Sequence, residues 1–147
     1  MASCCRGRTL PQSLIGAAQA CPADAKIETR FGLRYSLALF LVQLGELDEA
    51  IRLNQECLDI AAENPDVTKA WVPEILFRLA AAHFRQAEKA NCIARHTAES
   101  CIFPLAGSAV HLDRTGAAAA AVVLDRLLTT EGSDVDLEAR WLLNFAH

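Results

Sequence analysis

The sequence of 147 residues lacks the features that mark a membrane protein or a nucleic-acid-binding protein. No apolar run approaches the roughly 18 residues that a membrane-spanning helix needs, and the longest covers residues 117–124. A basic stripe for phosphate binding is also absent, because 14 basic residues are scattered among 18 acidic ones and the net charge is -4. We therefore expect neither a membrane span nor a nucleic-acid partner.

Motifs for metal or redox chemistry are missing as well. The six cysteines include no Cys-x-x-Cys pair, and their spacing fits neither a dense disulfide framework nor a zinc motif. No Asp-x-Asp-x-Asp-Gly calcium loop occurs. We expect no resident metal and no cofactor, and the cysteines alone do not identify the compartment.

Helical periodicity dominates what is present. From residue 28 to residue 62 the pattern is helical twice, with a break at Gly45, and it is carried by Leu33, Leu37, Leu41 and Leu44 and then by Leu47, Ala50, Ile51, Asn54, Cys57, Leu58 and Ala61. Gly45 can end the first helix in the left-handed conformation, and Pro65 closes the second. This predicts a helical hairpin.

A third helix is predicted from Val67 or Pro73 to residue 90. It is apolar on two faces and should therefore be sandwiched, with Trp71, Ile75, Leu79 and His83 on one face and Leu76, Ala80, Phe84 and Ala87 on the other. We interpret His83 as a hydrogen-bonded core histidine. Two further helices are predicted at residues 116–130 and 135–147. Residues 91–115 have no helical period, and we predict that they form a long ordered insertion.

Residues 1–25 form a leader that we predict to be disordered or a weak export signal, since Arg6 and Arg8 precede a short apolar stretch. The helical domain then covers residues 26–147. Its predicted fold class is all-α, built of antiparallel helical hairpins.

Two segments resemble known families. One is similar to a tetratricopeptide repeat, through Leu37, Ala38, Leu41, Gly45, Leu47, Ala50 and Pro65. The other begins with the run Asn-Cys-Ile-Ala-Arg-His-Thr-Ala-Glu-Ser-Cys-Ile-Phe-Pro at residues 91–104 and continues through Gly107, Val110, His111, Asp113, Arg114 and Gly116 to Glu-Ala-Arg-Trp-Leu-Leu-Asn at residues 138–144. It resembles the tetratricopeptide-containing leader region of proteins with FG-GAP (VCBS) repeats and an ASPIC/UnbV domain.

This resemblance covers roughly residues 31–147 and implies a tetratricopeptide-like α-solenoid. In that family a long β-propeller follows the helices and the proteins are commonly exported. Because this sequence contains no propeller, the resemblance implies a detached or truncated piece. It also suggests an extracytoplasmic or secreted location, whereas a cytoplasmic one follows if the leader is not a signal.

The insertion carries a set of polar and sulfur-containing side chains: Cys92, Arg95, His96, Glu99, Cys101 and His111. We interpret Arg95, His96 and Glu99 as charge and hydrogen-bond partners that fix the loop. The two cysteines with His96 and His111 could form a zinc site, Cys92 and Cys101 could form a disulfide, or both could be buried free thiols. These three alternatives stay open.

Catalysis is not expected. Cys101, His111 and Asp113 could imitate a thiol hydrolase, but no oxyanion hole is evident and all three lie on one loop. The predicted function is protein interaction or scaffolding, with a protein, a peptide or an adjoining β-propeller as partner. By helical phase, Arg34, Gln43 and Arg78 are the predicted solvent-facing contacts. The alternative is a small metal- or disulfide-bearing site within residues 92–111.

Overall fold

A computed structural model of the protein describes residues 12–99, 107–130 and 136–146. In these ranges the chain is helical and contains no strand, which confirms the all-α prediction. Seven α-helices follow one another: α1 Gln12–Gln19, α2 Ile27–Leu44, α3 Leu47–Glu63, α4 Pro65–Thr68, α5 Val72–Glu88, α6 Thr115–Leu128 and α7 Asp136–Ala146. None of these described helices is long and apolar enough to cross a membrane.

The turn between α2 and α3 forms as predicted. Gly45 has a φ of 81°, and its N–H donates to the Val42 carbonyl oxygen at 3.2 Å. The N–H of Glu46 donates to the Leu41 carbonyl oxygen at 3.0 Å, which completes a Schellman motif. Because this turn is so short, α2 and α3 pack against each other as an antiparallel hairpin.

Helix α5 packs between α3 and α6, which confirms the predicted sandwich. Ile75, Leu76, Leu79 and Ala80 are buried along it. The prediction was wrong for Trp71, which lies in the 3₁₀ turn Lys69–Trp71 and is 48% exposed. The reason is Pro73, which fits the first turn of a helix and therefore makes α5 begin at Val72.

The contact between α5 and α6 depends on a close backbone approach. A Cβ atom on Gly116 would lie 2.7 Å from the His83 carbonyl oxygen and 2.8 Å from the Ala87 nitrogen. Ala120 and Leu124, farther along α6, have no exposed surface. Small side chains thus let the two helices come together, as the alanine-rich sequence of α6 indicates.

The predicted leader is partly folded. Residues 12–19 form α1, which packs against α2, where the sequence suggested disorder or a signal. A helix of 8 residues is too short to be stable alone, so packing must stabilise it. Leu14, Ile15 and Ala18 supply that packing against the cluster formed by Leu37, Ala38, Leu41, Ala50 and Leu53. Residues 1–11 lie outside the described residues.

The predicted insertion also separates α5 from α6. Helix α5 runs into a π-helical turn, Lys89–Ile93, and α6 begins at Thr115. Residues 94–99 and 107–114 are irregular apart from the 3₁₀ turn Gly107–Ala109. Residues 100–106, including Cys101, lie outside the described part of the chain.

Candidate protein-interaction groove

A groove of about 230 Å³ lies between α2 and α5, with α3 contributing to its lining. The α2 wall is largely apolar, with alanine, leucine and valine, whereas the α5 wall combines phenylalanine and alanine with one glutamate and one arginine. The lining residues are Ala38, Leu39, Val42 and Gln43 from α2, Asn54 from α3, and Glu74, Phe77, Arg78 and Ala81 from α5. A concavity of this composition suits an apolar side chain that carries a nearby polar group.

Asn54 is the unusual residue of this groove. Its side chain is only 1% exposed, and its Nδ2 donates to the Ala50 carbonyl oxygen at 2.8 Å. Its Oδ1 is buried and accepts no hydrogen bond. Such an unmet acceptor costs about 1–3 kcal/mol. Asn54 occupies an apolar position in the helical pattern, which is the sequence signal for its unusual role.

Two of the three predicted contact residues meet at this groove. Gln43 is exposed on α2, and Arg78 lies opposite on α5. The Nε of Arg78 donates to the Tyr35 hydroxyl at 3.0 Å, and its guanidinium also pairs with Glu74. Arg78 is therefore a positioned rim residue that already has partners within the chain.

Arg34 lies outside the groove between α2 and α5. Its Nε donates to Glu56 Oε2 at 2.9 Å and its Nη1 donates to the Arg30 carbonyl oxygen at 3.0 Å. The side chain lines a different cleft, together with Ile15 and Ala18 of α1. Helical phase placed Arg34 toward solvent, but the ion pair with α3 and the packing of α1 both depend on tertiary structure.

Two residues, Glu99 and Asn91, hold the loop in place through hydrogen bonds. Glu99 Oε2 accepts hydrogen bonds from the backbone N–H of Ser108 at 3.1 Å and from its hydroxyl at 2.8 Å, which ties the two described parts of the loop together. Hydrogen bonds from Thr115 lower the pKa of Asp113, and the charge of Arg95 makes a smaller contribution in the same direction. Arg95 and His96 are exposed.

Asn91 fastens the loop to α5 and was not singled out from the sequence. Its Nδ2 donates to the carbonyl oxygens of Ala87 at 3.0 Å and Asp113 at 2.7 Å. Its Oδ1 accepts from the N–H of Asp113 at 3.0 Å. The amide thus satisfies both backbone groups of Asp113, directly before α6.

Cys92 and His111 are in contact within the loop. Cys92 is a free thiol whose Sγ lies 3.2 Å from His111 Nε2, and both side chains are partly buried. The predicted partner Cys101 lies outside the described residues. Within the described ranges, no group of three or more potential ligands is arranged to hold a metal ion.

Comparison of the chain with family models, curated proteins and solved structures finds no match. Its function has to be inferred from the chemistry of the groove and the loop.

Proposed function

We propose that the chain is a protein-interaction module that receives a short peptide segment in the groove between α2 and α5. The observation that carries this proposal is the groove itself, whose lining combines apolar side chains with the charged Glu74 and Arg78. The side chains of a peptide can cover the apolar part of the lining, and the charged Glu74 and Arg78 can bind its polar groups. Binding would therefore bury apolar surface.

The proposed helix arrangement is tetratricopeptide-like. In such arrays the first helix of each hairpin lines one concave surface. The order of packing supports this: α2 pairs with α3, α3 with α5, and α5 with α6, while α2 also contacts α5. Helices α2 and α5 would then be the first helices of successive hairpins, with the loop insertion inside the second hairpin.

We also propose, from the resemblance of residues 31–147 to the leader of FG-GAP and ASPIC/UnbV proteins, that the module supports a neighbouring β-propeller. Two large apolar side chains are exposed, Val122 on α6 and Leu137 on α7. They support a further contact surface on these two helices. Co-expression with a propeller of that family, followed by size-exclusion chromatography, tests this role. Separate elution of the two chains would contradict it.

Selection from a phage-displayed library of random peptides tests the groove. Peptides selected on the wild-type protein should lose at least about tenfold in affinity for Ala81→Arg, because the new side chain fills the groove and buries a charge. The matched control is Ala118→Arg, which makes the same change on the exposed face of α6 and should bind normally.

Two results would overturn the peptide-binding proposal. One is a library that yields no peptide enriched above a blank surface. The other is a set of selected peptides that binds Ala81→Arg as well as the wild-type protein does. Circular dichroism of both arginine variants establishes that each is folded before affinities are compared.

The contact between Cys92 and His111 favours thiol chemistry as a second candidate function. An imidazole nitrogen 3.2 Å from a thiol can accept its proton when the sulfur attacks an electrophile. In alkylation by iodoacetamide, the sulfur forms a bond to carbon, iodide leaves, and His111 takes the proton. Mass spectrometry of single cysteines should show faster labelling of Cys92 in the wild type than in His111→Asn.

Cys57 is the internal reference for that measurement. Burial raises the pKa of its thiol to about 12, so it should react slowly in both proteins. Equal labelling of Cys92 with and without His111 would remove this second candidate.

A further inference from the structure

A second pocket, of about 280 Å³, lies where α2 meets α4 and the 3₁₀ turn that follows it. Its lining includes Glu28, Phe31, Gly32, Tyr35, Val67 and Trp71. Pockets for drug-sized molecules usually begin near 300 Å³. This one therefore suits a single side chain or a small head group, and it is separate from the groove between α2 and α5.

Three aromatic rings meet at this pocket. Phe31 and Tyr35 are one helical turn apart, and their rings are nearly parallel with centroids 6.0 Å apart. The Trp71 indole packs edge-on against Tyr35, with centroids 5.8 Å apart, and at a tilt against Phe31. About half of the Trp71 surface nevertheless stays exposed. The indole is thus held by two rings while it keeps surface available to a ligand.

The electrostatics of the pocket favour a cation. Aromatic faces are electron-rich, and tryptophan attracts cations most strongly of the aromatic side chains. Glu28 adds a carboxylate, and no lysine, arginine or histidine is among the lining residues that the structure describes. The Tyr35 ring already has a cation, because the Arg78 guanidinium carbon lies 5.4 Å from its centroid, so a ligand cation would contact Trp71 instead.

Gly32 keeps the pocket open. It lies inside α2, where glycine is a poor helix former, and a Cβ atom added to it would meet nothing within 4 Å. Packing therefore does not require glycine at this position. A larger residue here would extend into the open space that the pocket now provides.

We propose that this pocket binds an organic cation of the quaternary ammonium class, with its methyl groups against Trp71 and its charge facing Glu28. A primary ammonium group would lose strongly bound water in this largely apolar pocket and find few replacement hydrogen bonds. A methylated cation carries no N–H donors to satisfy. The trimethylammonium group can come from a choline-type small molecule or from a trimethylated lysine of a partner protein.

Titration of the full chain with choline tests the proposal, with Trp71 fluorescence as the signal in a Trp141→Phe background. The matched ligand is 3,3-dimethylbutan-1-ol, which has the shape of choline without its charge. We expect saturable binding of choline and at least about tenfold weaker binding of the neutral analogue. A peptide with one trimethyllysine, compared with its unmethylated form, identifies whether the source is a protein.

Two variants connect binding to the pocket. Gly32→Leu should fill it and abolish binding, while its midpoint of thermal unfolding stays at or above that of the wild type, because leucine is the better helix former. Glu28→Gln should weaken choline binding about threefold or more, whereas the control Glu138→Gln on α7 should not. The proposal is overturned if neither choline nor the trimethyllysine peptide binds, if the neutral analogue binds equally well, or if Gly32→Leu binds normally.

Discussion

Asparagine has two different roles in this protein. Asn91 uses its amide completely, since it bonds to Ala87 and to both backbone groups of Asp113. Asn54 uses only its Nδ2 and leaves Oδ1 without a donor. Buried polar atoms are nearly always paired, so Asn54 is an exception among the described residues. Asn91 closes the loop structure, whereas Asn54 costs stability because it leaves a buried acceptor unpaired.

Gly116 is a residue whose lack of a side chain can be tested directly. Gly116→Ala should destabilise the protein by about 1–3 kcal/mol, because the added methyl overpacks the contact between α5 and α6. Urea denaturation measures the change in the free energy of unfolding. Gly32→Ala is the matched control and should stabilise by about 1 kcal/mol, since open space surrounds its Cβ position. Equal effects of the two substitutions would contradict the close approach.

His83 should make stability depend on pH. Burial lowers its pKa from the usual 6.5, against a smaller opposing effect of the hydrogen bond with Gln86. As pH falls through 6.5, the unfolded chain therefore binds a proton before the folded protein does. The free energy of unfolding should decrease from about pH 7.5 to about pH 5.5, and less so in His83→Gln. A dependence on pH that is as steep in His83→Gln as in the wild type would contradict this prediction.

Single residues also show where sequence reasoning was sufficient. Gly45 could be predicted because a helix stop and a left-handed turn are local properties, and the capping bonds reach only a few residues. The surroundings of Arg34 and Arg78 could not, since Glu56 and Tyr35 are 22 and 43 residues away in the chain. Helical phase predicts which side a residue faces, but not which helix will cover that side.

Among the elements, α3 and α5 were predictable because they are long and have a strong apolar period, and α2 because it is long and ends at Gly45. Helix α1 was not, since it has 8 residues and an isolated helix of that length is unstable. Its stability comes from Leu14, Ile15 and Ala18, which pack on residues of α2 and α3. Helix α1 is therefore stabilised by tertiary packing and not by its local sequence.

Ile15→Asp should release α1 from the rest of the protein. The substitution places a charge against the apolar cluster of α2 and α3, so hydrogen exchange should accelerate across residues 12–19 while α5 and α6 stay protected. Ala17→Asp introduces the same residue on the exposed face of α1 and should leave most of that protection. If both variants exchange equally fast, helix propensity rather than packing determines the order of α1.

At the scale of the whole molecule, the larger of the two apolar clusters in the described chain extends from α2 to α7. It joins Phe31 of α2, Cys57 and Leu58 of α3, and Leu76 of α5 with residues of α6 and α7. Helix α5 lies in its middle and contacts both α3 and α6. Repeat proteins whose units contact only their neighbours can lose cooperativity, whereas a shared core makes the units unfold together. We therefore expect a single unfolding transition.

Leu76→Ala tests that cooperativity. Leu76 has no exposed surface, so the cavity should destabilise the protein by about 2–5 kcal/mol. The two tryptophans report on distant regions: Trp141→Phe leaves the signal of Trp71 near α2, and Trp71→Phe leaves that of Trp141 on α7. In both backgrounds Leu76→Ala should lower the urea midpoint by the same amount.

Leu137→Ala, at an exposed position of α7, should change stability by less than about 0.5 kcal/mol. Two separate transitions, with only one of them shifted by Leu76→Ala, would mean that the hairpins unfold independently and that the core is not shared.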